Sequence, residues 1–275
     1  MTVNQTMQPL LKVENLVKLH AGGRISRSKQ KLAALDGVSL AVAPQSTLVL
    51  VGESGSGKST LALCIACLER PTSGTIVFEG MDITALPATQ LREVRPQIQL
   101  VFQDPAASLN PRWTALEIIS EPLLIQRRFT KAVRENRVLA LLDRVALPRK
   151  LAGRRADELS GGQKQRLAIA RALALEPKLI ILDEALSALD CSVQAQISNL
   201  LLDLQSSLGL AYIFITHDFA MAAHLADEIG VMDRGRIVES GPAEKVLLSP
   251  SHEATRSLIA ATPALAQTQN ALVEI

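Results

Sequence analysis

At 275 residues the chain is long enough to bury one large α/β core or two small ones, and with 48% hydrophobic but only 3% aromatic residues that core is expected to consist of Leu, Ile, Val and Ala. A formal charge of +2 is nearly balanced and argues against wholesale nucleic-acid binding. No window approaches 18 uncharged apolar residues and Met1–Pro9 is polar without a signal-peptide core, so neither a spanning segment nor a leader is expected. The expected setting is the cytosol, with any membrane link made through a partner.

Leu10 to Leu19 alternates in part and predicts a first strand. The polar, basic stretch 21–31 reads as a loop whose cations are either solvated or turned toward an anion. Val38–Val42 and Thr75–Phe78 predict further strands, the latter after a turn over Pro71–Gly74. Short strands ahead of any long helix suggest an antiparallel sheet.

Between those strands stands Gly52-Glu53-Ser54-Gly55-Ser56-Gly57-Lys58-Ser59-Thr60, preceded by the apolar run Thr47–Val51 and followed by Leu61–Leu68. Buried strand, glycine loop and helix are the context that GxxxxGK[ST] requires, and the spacing is met without a mismatch. The glycines let successive N–H groups turn inward onto phosphate oxygens, and the helix start adds its positive dipole end. Lys58 is the expected partner of the β- and γ-phosphates, and Ser59 the expected Mg²⁺ ligand. These residues predict a nucleoside-triphosphate site.

Ile98–Phe102 predicts a strand that ends at Gln103. Prolines at 105, 111 and 122 then break the chain, and Thr114 to Leu147 is helical in pattern. Eleven Lys/Arg against seven Asp/Glu between 103 and 158 give this insertion a basic face, either solvated or docked on a partner. Leu159-Ser160-Gly161-Gly162-Gln163 opens a helix to about Leu175, with Ser160 as N-cap and two glycines that permit close approach to the helix start.

Leu179–Leu182 ends in Asp183-Glu184, a buried strand delivering carboxylates at its C-terminal end. Paired with a phosphate loop, Asp183 is expected to hold Mg²⁺ and Glu184 to polarise an attacking water. A helix at about 192–208 leads to Tyr212–Thr216, another buried strand, which ends in His217-Asp218. Asp233-Arg234-Gly235 predicts a hairpin turn between Ile229–Met232 and Arg236–Val238, and short helices follow Pro242 before a polar tail from about Gln267. Cys64 and Cys67 have CxxC spacing, read either as small buried side chains on the helix or as a zinc or redox pair; with Cys191 they fit a reducing compartment.

In their order and spacing, GESGSGKST, VFQD, LSGGQ, LIILDE, SALD and THD resemble the ATP-binding-cassette ATPases, from about residue 10 to about 260, and LSGGQ is the discriminating piece. The resemblance implies an α/β fold: a phosphate-loop NTPase core with a mixed parallel sheet, an antiparallel β subdomain and an inserted α-helical subdomain. It implies one ATPase domain over 1–260, the helical insertion at about 104–176, and a C-terminal tail over 261–275. It further implies two such chains head to tail, each ATP lying between the phosphate loop of one and Ser160, Gly161, Gly162 and Gln163 of the other.

By the same likeness Gln103 senses Mg²⁺ and the transmembrane partner, Glu184 is the general base, and His217 contacts the γ-phosphate. Ser187 to Asp190 are implied to cross the dimer interface. The adenine-stacking aromatic has no counterpart except His20, and Ala185-Leu186 stands where Pro-Thr is usual. Val101–Pro105 with Ser108–Arg112, and the segment at Ser249–Glu253, are similar to the oligopeptide, dipeptide and nickel branch of bacterial importers. That branch implies a different ATPase chain as partner, two permeases and a substrate-binding protein, at the cytoplasmic face of the inner membrane. An ATPase of DNA repair or translation, or of an exporter, is the alternative. The first usually shows a long coiled coil or tandem cassettes, and the second is often fused to membrane helices; neither feature is found here.

Overall fold

The computed structural model describes residues 8–20, 32–127 and 129–262. The expected basic loop at 21–31 and nearly all of the expected tail lie outside them. In chain order the structure runs β1 (Leu11–His20), β2 (Leu32–Val42), β3 (Thr47–Val51), α1 (Lys58–Ile65), β4 (Ser73–Phe78), β5 (Met81–Asp82) and α2 (Ala88–Val94). It continues with β6 (Ile98–Val101), α3 (Pro105–Ser108), α4 (Ala115–Gln126), α5 (Lys131–Arg144), α6 (Gly161–Leu173), β7 (Leu179–Asp183) and α7 (Cys191–Leu208). The remainder is β8 (Ala211–Thr216), α8 (Phe219–Leu225), β9 (Glu228–Asp233), β10 (Arg236–Pro242), α9 (Ala243–Leu248) and α10 (Glu253–Ala260). The fold is α/β, and the chain divides into two compact units, one formed by 1–94 with 211–275 and the other by 95–210.

In the first unit an antiparallel sheet runs in the order β2-β1-β4-β5. A second, mixed sheet runs β10-β9-β3-β8, with β3 parallel to both β8 and β9 and the β9–β10 pair antiparallel. Every residue of β3 is buried, and so is every residue of β8, because strands in the middle of a parallel sheet are covered on both faces. That explains why both read in the sequence as unbroken apolar runs rather than alternating ones. The strand expected over Val38–Val42 starts earlier, at Leu32, because its pairing with β1 carries a weak strand former, Asp36, into the ladder.

The helix after the glycine loop begins at Lys58 and ends at Ile65, short of the expected Leu68; Cys67 takes a left-handed conformation (φ +56°) that stops it. In the second unit β6 lies parallel to β7, with Val101 beside Leu182. The helical stretch expected over Thr114–Leu147 is two helices, parted where Arg127 turns left-handed (φ +51°) and Thr130 caps α5. Many cations of this stretch are paired within it or nearby, among them Lys131 with Glu135, Arg137 with Glu176, Arg149 with Asp143 and Arg154 with Glu158. Such exposed pairs contribute little stability but leave less free charge than the residue count suggests.

Candidate functional site

The first unit builds its site on β3. Parallel pairing on both sides holds this strand, and the chain leaves it at Gly52. Two glycines there are demanded by backbone contact. A Cβ on Gly52 would come within 2.2 Å of the Met232 carbonyl oxygen, and one on Gly57 within 2.4 Å of that of Ala34. Gly57 also has φ +106°, a conformation glycine adopts without strain. It is the N-cap of α1, and no side chain caps the helix there; the first turn carries no acid either. A helix start without a side-chain cap or a first-turn acid is of the kind that suits an anion.

Lys58 is 5% exposed, and its Nζ donates to Gly52 O at 2.8 Å, Glu53 O at 2.7 Å and Ser56 Oγ at 3.2 Å. A buried ammonium set among the loop's own oxygens beside an uncapped helix start fits a polyphosphate. Glu53, Ser54 and Gly55 form the exposed crown of the loop, while Ser59 is exposed and Thr60 half-buried in the first helical turn. The register of β3 with β8 sets Val51 beside Thr216, so Gly52 and the exposed His217 leave the sheet at the same level. Asp218, next in the chain, caps α8 by accepting Ala220 N–H at 2.8 Å. His20 sits at the end of β1 with Nδ1 3.8 Å from Glu69 Oε1, a carboxylate that Lys18 also meets at 2.9 Å.

The second unit brings Gln103 and Glu184 together. Because Val101 pairs with Leu182, the two chains leave the sheet side by side, and Gln103 Nε2 donates to Glu184 Oε2 at 2.9 Å. Glu184 has φ +47°, a strained conformation for a residue with a side chain. Ser187 stabilises it, donating both its N–H (3.1 Å) and its hydroxyl (2.9 Å) to the Glu184 carbonyl. Asp183 is half-buried at the end of β7. Among the described residues no three or more His, Cys, Asp or Glu side chains gather as a metal site. Mg²⁺ needs no such cage, since it is commonly held by one or two carboxylates together with substrate phosphates.

The LSGGQ helix opens on a capping box. Ser160 Oγ accepts Gln163 N–H at 3.4 Å, and Gln163 Oε1 accepts Ser160 N–H at 3.0 Å. The Ser-x-x-Gln spacing of a capping box is present in the sequence and was the available signal for this reciprocal role of Gln163. Gly162 has an internal reason to be glycine, since a Cβ would meet Val193 Cγ1 at 2.7 Å. Gly161 has none: the nearest atom, Leu189 Cδ2, lies at an ordinary 3.5 Å. Asp190 caps α7, and the N–H of Val193 with the hydroxyl of Ser192 holds its carboxyl below the usual carboxylate range.

Cys64 is buried, and desolvation pushes its thiol up to about 11, which suits a packing residue rather than a ligand. Ser187 was expected at a dimer interface, and its hold on the Glu184 carbonyl was not foreseen, although its place three after Glu184 was the available signal. Asp36, Gly235 and Arg236 were not foreseen as site residues; long-range contacts join them to the loop through Gly235 and Ser56.

The family model for ABC transporters matches residues 35–187. Over 256 residues the chain is 48% identical to a probable peptide ABC transporter ATP-binding protein of Sinorhizobium fredii, covering 92% of this chain and 72% of the other. It is 42% identical to the dipeptide transport ATP-binding protein of Haemophilus influenzae, over 94% of this chain and 79% of that one. It is also similar, at 32% identity and a TM-score of 0.76 over 85% of this chain and 98% of the other, to a solved dimeric ATP-binding cassette in a post-hydrolysis state bound to ADP and Pi.

Proposed function

The chain belongs to the ABC transporter family, and from that premise we propose that it is the ATP-hydrolysing, energy-coupling subunit of a bacterial importer of oligopeptides or dipeptides. The observation that carries this reading is the 48% identity, across 92% of the chain, to a peptide transporter's ATP-binding protein. Of the cargoes expected from the sequence, peptides are the ones these relatives' names support.

In this reading Lys58 and the N–H groups that open α1 hold the β- and γ-phosphates, with Gly52, Glu53, Ser54, Gly55, Ser56, Gly57 and Thr60 shaping the cradle. Glu184 accepts a proton from water as the water oxygen bonds to the γ-phosphorus. The bond from that phosphorus to the β–γ bridging oxygen breaks, leaving ADP and inorganic phosphate. The amide of Gln103 orients the Glu184 carboxylate. Ser59, Gln103 and Asp183 are the residues that would hold Mg²⁺, which neutralises phosphate charge when bound. His217 contacts the γ-phosphate, and His20 lies beside the base.

Ser160, Gly161, Gly162 and Gln163 serve the nucleotide of a second ATPase chain placed head to tail, a different chain in the native assembly. Two permeases and a substrate-binding protein complete that assembly at the cytoplasmic face of the inner membrane, and residues 1–260 act as one ATPase domain carrying the helical insertion. Supporting this, the solved relative is dimeric, and no helix among the described residues is long and apolar enough to cross a membrane.

Glu184→Gln tests the chemistry. The amide keeps the shape but cannot take the proton, so steady-state phosphate release should fall about 10²–10⁴-fold while ATP binding is retained. Unchanged turnover would overturn the assignment of the base. For the cargo, a vesicle-reconstituted assembly should hydrolyse ATP faster with a peptide-loaded binding protein than with one offered a Ni²⁺ chelate; the reverse would reassign it.

A further inference from the structure

We infer that the hairpin turn at Asp233–Gly235, held against β2 by the Asp36–Arg236 ion pair, positions the phosphate loop. Asp36, Gly235 and Arg236 thereby set triphosphate affinity without touching the nucleotide. This rests on the reading of the loop as the ATP site. The hairpin meets the loop at two points. Gly235 N–H donates to the Ser56 carbonyl at 2.9 Å, and the Met232 carbonyl lies against Gly52, where even a Cβ would come within 2.2 Å. Those two loop residues also hold the lysine, Gly52 through its carbonyl at 2.8 Å and Ser56 through its hydroxyl at 3.2 Å.

The turn is fixed from its other side by β2. Asp36 N–H donates to the Gly235 carbonyl at 2.8 Å, and Arg236 Nε and Nη2 both reach Asp36 Oδ2, at 2.8 and 2.6 Å, across 200 residues of sequence. Gly235 has φ +79°, and a Cβ on it would sit 3.0 Å from the Ala34 carbonyl, the same atom that forbids a side chain at Gly57. The loop is therefore wedged between β2 and the hairpin.

The two ion-paired side chains are 45% and 66% exposed, so the pair adds little to global stability. It fixes the register of the turn instead. A cradle made of backbone groups takes its shape from whatever those groups are tied to, and a shift of the turn passes through Ser56 to Lys58.

The experiment compares Asp36→Ala and Arg236→Ala with wild type in ATP-analogue binding, steady-state hydrolysis and nucleotide-free melting. Each is expected to weaken binding and raise the KM for ATP about three- to fivefold, with kcat and melting temperature unchanged. Gly235→Ala, which strains the turn itself, is expected to raise KM about tenfold. Exchanging the charges (Asp36→Arg with Arg236→Asp) should recover most of the loss. Arg149→Ala, which opens an exposed pair in the other unit, should leave affinity alone. If the single variants bind ATP as tightly as wild type while Lys58→Ala does not bind, the positioning role is overturned and the ATP site stands. If affinity falls only in step with melting temperature, the pair is merely structural and the inference fails. If wild type binds no ATP, the inference falls together with the reading beneath it.

Discussion

Two helices in this molecule begin at glycine-rich turns, and the two beginnings are built in opposite ways. At α1 the N-cap is Gly57, which has no side chain to cap the helix, and a buried lysine stands among loop oxygens. At α6 the serine and glutamine answer each other, and the helix start closes on itself. An open start costs stability unless an anion completes it, whereas a closed start folds on its own. The difference suits a loop that owns its nucleotide and a signature that meets a nucleotide held by another chain, because the latter must be stable before the partner arrives.

The comparison breaks most directly at Lys58. Lys58→Ala removes charge-assisted hydrogen bonds, each worth about 1.5–3 kcal/mol, so loss of two of them predicts at least a hundredfold weaker ATP binding. Binding also stabilises: at a ligand concentration 100 times Kd, about 2.7 kcal/mol is added to unfolding, seen as a rise in melting temperature. The variant should lose that rise. An undiminished ATP-induced shift in Lys58→Ala would mean the open start is not the anion site.

Changes at the closed start should act on stability and leave the isolated chain's ATP affinity alone. Ser160→Ala removes the hydroxyl that accepts Gln163 N–H, a cap worth about 1 kcal/mol. Ser160→Asn keeps an acceptor and should restore the loss. Gly162→Ala forces a methyl against Val193, a stiff β-branched side chain, at a comparable cost of about 1 kcal/mol or more. Thermal melting with and without ATP separates the two regions: these variants should melt lower yet keep the full ATP-induced rise. A variant that lost the rise would show that the signature serves the chain's own nucleotide.

How much of this was readable in the sequence depends on the range of the interaction. The order of strand, glycine loop and helix over β3 and α1, the acid-ended strand β7 and the apolar strand β8 were readable because their signals are local and dense. Strand β5 and helix α2 were not: one is two residues long and the other seven, too short for periodicity to speak. The break at Arg127 was hidden because no Gly or Pro marks it, although Thr130 was a visible cap. The bond between Gln103 and Glu184 needs the β6–β7 register, and the wedge on Gly57 needs Ala34 brought back by β2; neither is written in local spacing. Glycine itself is ambiguous in sequence, since a packing requirement and a ligand requirement leave the same letter.

That ambiguity gives the smallest and sharpest test. In the isolated chain, Gly161→Ala should be nearly silent, within about 0.5 kcal/mol, because the added methyl meets only Leu189 at 3.5 Å and alanine is the better helix former. No internal contact then explains glycine at 161, in contrast with Gly162, which Val193 already explains. If the helix start approaches a nucleotide held by a second chain, the same methyl stands in the way of that approach. The assembled ATPase should then lose hydrolysis, by about tenfold if one close contact worth about 1.4 kcal/mol is forfeited. The measurement is steady-state phosphate release by the complex beside melting of the isolated chain. A silent variant in both would leave Gly161 without a ligand to serve, and the shared-site arrangement would lose the one position in the signature that packing does not already account for.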